Sequence, residues 1–505
     1  MMQQQQQQNQ PNLGQIKARV VSNFNFAVLN HCRPLLIGVL TVYLIVFSYT
    51  NKNLTFPGSE YFCPLLNPSP ATATAPENLT VLPKVKVKAA PAPTNLSHLV
   101  FGLLGSEKAW RYRKNYIESW WRANVTRGFL FLDSAPAPDL LPWPATSPPY
   151  RISDELPEFA NLSEIRPKRM VHGIKEVLRE VGDEKELRWV IMGDDDSIFF
   201  VDNMVDVLSK YDHTRYHYIG GQSEYLMSNF WFSFDQGYGG AGIILSYPLA
   251  KALAGDMENC LRRYVFLNSA DNTTRNCIAD IGVNVSPYKG NHQVDLHGDI
   301  SGFLSAHPVA PVTSLHHFDV VEPIFPAKDR FEATRHLMTA AEADQSRLLQ
   351  QTVCYSRERN WSLSVSWGYS AQIYERIMPR SYLQIPVETF TPWLDVPSPV
   401  KYMFQTRKAS GSPCRDPHMF FYAALEKRLE TKGIVTRYSR AGPRGLGPCL
   451  SSGNHSADSI DSIDLWSPAT KRTKVDRCEC CDVVRIEGKR AEIKLRKCRR
   501  GEVIA

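Results

Sequence analysis

A mixed α/β fold built on a mostly parallel sheet is predicted for the centre of this 505-residue chain, with a membrane anchor and stem before it and a β-rich, cysteine-containing appendage after it. Three observations lead there. Short apolar runs alternate with helix-periodic segments between residues 98 and 264, the signature of strands joined by helical crossovers. A single uncharged apolar run stands near the N-terminus. Beyond about residue 350 the pattern changes to short β-like segments carrying seven cysteines. At 43% hydrophobic and 22% charged, the chain can bury a large core. Its formal charge of +7 is no sign of a nucleic-acid protein, because the twelve Lys/Arg and five Asp/Glu of residues 471–500 account for all of it. Thirty-four prolines and 29 glycines without a three-residue period exclude a collagen, and no solenoid repeat is present.

Residues 1–34 contain the tract Gln3 to Gln8 and read as an unstructured tail. Residues 35–50 carry no ionisable side chain but Tyr43 and Tyr49 and form the one candidate membrane span. About thirty mostly polar residues precede it and no A-x-A site follows, so an uncleaved signal anchor is expected rather than a cleaved signal peptide. Lys17, Arg19 and Arg33 before the run against Lys52 behind it place the N-terminus in the cytosol and the remainder in the lumen. Two further observations agree. All nine N-x-S/T sequons (Asn53, Asn78, Asn95, Asn124, Asn161, Asn272, Asn284, Asn360, Asn454) follow the run, and so do ten of eleven cysteines. Residues 51–97, with eight prolines, form a stem that cannot bury enough apolar surface to order itself.

In the central region, 98–350, His98 to Leu104 reads as a buried strand and Trp110 to Trp121 as a helix with Arg113 one turn before Ile117. Gly128 to Leu132 is a second strand. The i, i+4, i+7 recurrence of Met170, Ile174 and Val177 predicts a helix ending near Val181, and Leu187 to Met192 a third strand. Asn203 to Lys210 and Pro248 to Tyr264 read as helices, Tyr216 to Ile219 as extended. In the appendage, 351–505, Trp361 to Trp367 and Ser381 to Val387 read as strands.

The sharpest chemical signal is Trp189-Val-Ile-Met-Gly-Asp-Asp-Asp-Ser197. Adjacent aspartates repel one another and suit a strand poorly, so three of them at the end of a buried strand point to a cation. Carboxylate oxygens suit Mg²⁺ or Mn²⁺ shared with substrate phosphates. The competing reading is a solvated acidic turn capping the next helix; the D-x-D-x-D-G spacing of a calcium loop is absent. Gly237-Tyr-Gly-Gly-Ala-Gly242 lets backbone approach a ligand or simply makes a tight turn. It is neither a P-loop nor a dinucleotide fingerprint. Cys260 and Cys277 could form a disulfide. For Cys478-Glu-Cys-Cys481 with Cys498, disulfides are expected over a zinc knuckle in an oxidising lumen. His316-His317 with Asp319 suits a strand-end hydrogen-bonding role better than a metal.

The succession His98-Leu-Val-Phe-Gly, Tyr116-Ile-Glu-Ser-Trp-Trp-Arg122, Trp189 to Ser197, Tyr211-Asp-His, Gly239-Gly-Ala-Gly, His292-Gln-x-Asp and Ser314-Leu-His-His-Phe-Asp319 resembles the plant fringe-related glycosyltransferase-like proteins, distant relatives of the fringe and β-1,3-galactosyltransferase superfamily. The resemblance covers roughly residues 95–450. It implies a GT-A (Rossmann-like) domain that uses Mn²⁺ and a UDP-sugar, inverts the anomeric centre and forms a β-1,3 linkage from a hexose or N-acetylhexosamine to a glycan or glycoprotein hydroxyl. By the same analogy Asp196, with Asp194, ligates the metal and His292 is the second protein ligand. Asp194 and Asp195 hold the donor, with Gly239, Gly240 and Gly242 lying against it; Arg113, from its place on the first helix, either touches the donor diphosphate or lies on a solvated face. Asp271 is the expected base and Asp280 the runner-up. This chain has Asn291 where the family commonly has an aromatic residue, and a sequon begins at Asn272 beside the expected base. The expected setting is the Golgi membrane, single-pass type II, with the catalytic part lumenal and no nucleic-acid partner. The alternative is a catalytically inactive, fringe-like lumenal glycan-binding or scaffold protein.

Overall fold

A computed structural model describes residues 92–504 apart from 183, 429, 431, 474 and 475. The Gln tract, the apolar run and the stem up to residue 91 lie outside the described residues. Among the described residues no helix is long and apolar enough to cross a membrane.

The central region begins with β1 (Leu99–Leu104), buried along its whole length. Helix α1 (Glu107–Glu118) follows, its first turn closed by Ser106, whose hydroxyl accepts from the Ala109 amide at 3.1 Å. Strands β2 (Gly128–Leu132) and β3 (Tyr150–Ile152) lead to α2 (Arg166–Val181), which carries Pro167 in its first turn and ends at Gly182 with φ +70°. Next come β4 (Trp189–Asp194), β5 (Ile198–Phe199), α3 (Val201–Leu208), β6 (Tyr218–Gly220), α4 (Leu226–Trp231) and β7 (Ile243–Ser246). The helix expected over Pro248 to Tyr264 is two, α5 (Tyr247–Gly255) and α6 (Met257–Arg263). Asp256, at φ −106° and ψ 8°, leaves helical geometry after a glycine that resists it. Then follow α7 (Ala270–Asp280), β8 (Val285–Pro287), β9 (Asn291–His292), β10 (Leu296–Gly298), α8 (Ser301–Ala306), β11 (Ser314–Leu315) and α9 (Arg330–Asp344).

Seven of these strands form one sheet in the order β3-β2-β1-β4-β7-β6-β8. All run parallel except β7, which is antiparallel to both neighbours, so the expected mostly parallel sheet is present. Its central strands are apolar on both faces because both are covered. One face packs Val100, Leu104 and Val190 against Val177 of α2 and Leu253 of α5. The other packs Phe101, Leu103 and Trp189 into a core that continues to Trp361, Tyr438 and Leu465 of the C-terminal region.

That region holds β12 (Gln351–Ser356), β13 (Trp361–Ser366), β14 (Ser370–Tyr374), α10 (Arg380–Leu383), β15 (Phe390–Pro392), β16 (His418–Arg428), β17 (Gly433–Arg440), β18 (Ser462–Pro468), β19 (Cys480–Glu487) and β20 (Arg490–Arg496). Eight of these strands form a second sheet, β12-β13-β14-β16-β17-β18-β20-β19, antiparallel except at β18 and β20. Its edge strands β12 and β19 are joined by the Cys354–Cys481 disulfide, which brings the two open edges together. The strand expected at Ser381 to Val387 is instead one helical turn and a loop. Pro379 precedes the turn, and Pro386, which has no N–H to donate, meets the next segment only by accepting from the Arg407 amide. Disulfides also join Cys260 to Cys277, Cys414 to Cys449 and Cys480 to Cys498, as the oxidising reading of the cysteines requires.

Candidate functional site

Strand direction collects the chemical residues at one edge of the first sheet. The carboxyl ends of β1, β2 and β4 point the same way, and Asp194 pairs in register with Leu104 at that end. In open α/β sheets this is where ligands bind. Because β7 runs the opposite way, its beginning lies there too: Ile243 pairs with Met192, and the glycine-rich turn before it is delivered beside the acids. Gly242, at φ +85°, closes that turn by donating to the Gly239 carbonyl at 2.8 Å. A strap of three two-residue strands crosses the same edge. Leu315 of β11 lies opposite Ile198 of β5 and beside His292 of β9, so His316 emerges next to Asp196.

The acids and this histidine converge. His316 Nε2 lies 3.0 Å from Asp196 Oδ1 and 3.8 Å from Asp194 Oδ2. One ligating atom from each of Asp194, Asp196 and His316 falls within 4.8 Å of the others. The Ser197 hydroxyl accepts from the Asp194 amide at 2.8 Å and donates to the Gly240 carbonyl at 2.7 Å, tying the acidic turn to the glycine turn. A Cβ on Gly240 would overlap the His316 ring, so only glycine fits. Arg113 of α1 reaches the cluster, donating to Asp195 at 2.8 Å and to Asp319 at 2.6 Å and approaching Asp196 at 3.3 Å. Asp271 sits in the first turn of α7, where its Oδ1 accepts from the Gly239 amide at 2.9 Å. The Cys260–Cys277 bridge fastens that helix to α6.

Burial and neighbouring charges separate these carboxyls. Burial raises Asp271 to about 7, with Asp194 adding to the effect and the Gly239 amide opposing it. Burial likewise raises Asp195 to about 6 against the pull of Arg113, and it raises Asp194 against His316. At Asp196 burial is outweighed by His316 and Arg113, which hold the carboxyl well below its usual range. At His316 burial is outweighed by Asp196 and Asp194, which raise the imidazole to about 9. The donor set fits a hard divalent cation. It has two carboxylates and one imidazole, and Asp196 Oδ2 and His316 Nδ1 are buried without hydrogen-bond partners among the described residues.

Two expected residues lie elsewhere. His292 does not join the acids, because strand alternation turns it to the other face of the strap. Its neighbours Asn291 and Gln293 face the glycine turn, bonding the Ala241 and Gly242 carbonyls and the Ala241 amide, while His292 Nδ1 lies 3.0 Å from Glu224. Asn291 thus fills its position with hydrogen bonds rather than aromatic packing. Asp280 ends α7, nine residues beyond Asp271 and so about 14 Å along the axis. There it accepts from Arg263 at 2.9 Å and from the Tyr264 hydroxyl at 2.8 Å, a half-exposed ion pair. His316 was the residue undervalued in sequence; its signal was the His316-His317-x-Asp319 run, of which the third member binds Arg113.

A family model described as a protein of unknown function, DUF604, matches residues 228–481, half of the chain. The chain belongs to that family. A second model, described as Fringe-like, matches residues 165–283 of this DUF604 chain, the stretch that holds the acidic strand end, the glycine turn and the whole of α7 with Asp271. Together the matches make it a fringe-related chain of glycosyltransferase type, as the order of motifs implied. No curated protein matches it. A solved structure titled "Crystal structure of a glycosyltransferase involved in the glycosylation of the major capsid of PBCV-1" is similar over 48% of this DUF604 chain and 98% of its own, at 11% identity and a TM-score of 0.23. A likeness of that strength carries nothing about this chain's chemistry.

Proposed function

We propose that this chain is an inverting, Mn²⁺-dependent transferase of GT-A type. In this reading it moves a hexose or N-acetylhexosamine from a UDP-sugar to a glycan or glycoprotein hydroxyl in a β-1,3 linkage, in the Golgi lumen behind a single N-terminal anchor. The observation that carries the reading is the convergence of Asp194, Asp196 and His316 at the carboxyl edge of the sheet, with Asp271 presented there by the glycine turn. Asp194, Asp196 and His316 would hold the ion, which when bound offsets charge on the departing diphosphate. Arg113 is positioned to keep Asp195 and Asp196 ionised. Asp271 takes the proton of the acceptor hydroxyl as its oxygen forms the new bond to the anomeric carbon. The bond from that carbon to the UDP oxygen breaks, and its electron pair leaves with UDP. A carboxyl raised to about 7 suits this work, being divided between its ionised and protonated forms at neutral pH and a stronger base than an ordinary carboxylate. One displacement assisted by one base inverts the anomeric carbon, whereas retention takes two displacements through a covalent intermediate.

The test is UDP release by the full chain over a panel of UDP-sugars with Mn²⁺, comparing wild type with Asp196→Asn and Asp271→Asn. Release that needs Mn²⁺ and one sugar, and is lost in Asp196→Asn, is the expected result. UDP and Mn²⁺ binding with no release under any donor and acceptor would favour the glycan-binding alternative, for which the sequon at Asn272 speaks. Against it, the Asn272 side chain is already engaged with the Phe232 carbonyl and Asn276.

A further inference from the structure

We propose that Glu224, His292 and His307 form a second metal site, independent of the acidic cluster, that takes a zinc-like ion and has a structural role. The three residues come from separate elements: the loop after β6, β9, and the residue that follows α8. One ligating atom from each lies within 4.8 Å of the others. None belongs to the Asp194, Asp196 and His316 group.

The surroundings point to a ligand. Glu224 is a carboxylate with 4% side-chain exposure whose one ion-pair partner among the described residues is His292, at 3.0 Å; no lysine or arginine reaches it. Among the described residues its second oxygen accepts only the Val294 amide, at 2.6 Å. A charge so placed is costly without a cation or a full set of donors. His292 is 2% exposed, and its Nε2 is buried with no hydrogen-bond partner among the described residues. The His307 ring lies 5.6 Å from that of His292, centre to centre, and is enclosed by Phe303 at 4.7 Å and Phe404 at 4.1 Å. Two imidazoles and one carboxylate inside an aromatic shell are a zinc-type donor set. The oxygen-rich set at Asp194 and Asp196 suits Mn²⁺ instead.

The placement suggests what such an ion does. Glu224 stands two residues before α4 and its loop continues to the glycine turn, while His292 lies in the strap beside Leu315. An ion held by all three would pin the loop after β6 to the strap and to α8, fixing the wall behind the candidate active site without touching substrate.

The experiment uses full-length Asp196→Asn protein, so that the acidic cluster no longer contributes, stripped with chelator and dialysed against zinc chloride. About one tightly held zinc per chain is expected, with a raised melting temperature that chelator reverses. Adding His292→Gln or His307→Gln should abolish both the uptake and the shift. Absence of zinc uptake by the stripped Asp196→Asn protein would overturn the proposal, as would uptake that His307→Gln leaves unchanged. His307 is only partly enclosed, so its variant remains informative if His292→Gln does not fold. Loss of transferase activity has no bearing on either outcome.

Discussion

Two buried carboxylate–histidine–arginine clusters, one in each sheet, differ in how completely they are satisfied. In the C-terminal sheet Glu375 accepts from the Cys449 and Ala457 amides at 2.6 and 2.8 Å and from Ser456, pairs with His418 at 2.8 Å and faces Arg444 at 3.5 Å. Both His418 nitrogens are engaged, the second by Arg440 at 2.9 Å, and among the described residues only Arg444 Nε of this cluster is buried with no hydrogen-bond partner. In the first sheet Asp196, His316 and Arg113 meet at similar distances, with Asp196 Oδ2 facing Arg113 at 3.3 Å, but among the described residues Asp195 Oδ2, His316 Nδ1 and Asp319 Oδ1 are buried with no hydrogen-bond partner. A nearly finished network rigidifies a fold, whereas one with several open atoms at a strand-end crevice is material for a ligand. A carboxylate near a histidine is therefore weak evidence of function until the leftover atoms are counted.

The widest separation between the two clusters should come from paired neutralising substitutions. Glu375→Gln leaves Arg444 and His418 without their buried partner and should cost about 3–5 kcal/mol in chemical denaturation, with UDP release per folded molecule unchanged. Asp196→Asn should lower Mn²⁺-dependent release by about 10²-fold or more, with a smaller loss of stability, because Arg113 keeps Asp195 and Asp319 and His316 keeps Asp194 as partners. Equal stability losses in the two variants would erase the distinction. Next in size, Asp271→Asn should reduce kcat by about 10²- to 10⁴-fold with little change in UDP affinity, measured by steady-state kinetics and calorimetry.

Acid should also act differently on the two. Asp271, raised to about 7, loses its ability to accept a proton as pH falls, so kcat/KM should drop about tenfold per unit below that value. Glu375 has its carboxyl lowered, burial being outweighed by the two amides, His418 and Arg444. Its contribution to stability is complete above the ordinary glutamate range and is lost as pH falls through its lowered value. Activity should fail at a higher pH than the fold, and denaturation midpoints followed beside rates would show the order. The smallest expected effect is at Asp280, a half-exposed ion pair with Arg263. Asp280→Asn should change stability by about 1 kcal/mol or less and leave UDP release intact, dividing it cleanly from Asp271.

Asp194 to Asp196 were legible as a candidate cation site because three carboxylates after a buried strand repel one another, and that argument needs no coordinates. The alternation of apolar runs and helix-periodic segments was legible too, since burial on both faces leaves its mark along the chain. His316 was not. Its approach to Asp196 depends on three strands of two residues each, too short to show periodicity, and on which face of that strap each side chain takes. The same alternation that brings Asn291 to the glycine turn sends His292 to Glu224, and one residue of register would exchange them. Asp271 and Asp280 are equivalent as letters in a segment, and a helix of eleven residues puts them at opposite ends. Composition and local pattern thus announce the types of group present and the elements that carry them, because propensity and burial act over neighbouring residues. Which groups meet depends on strand order, the reversed direction of β7 and the register of the strap, all set by contacts between residues tens to hundreds of positions apart.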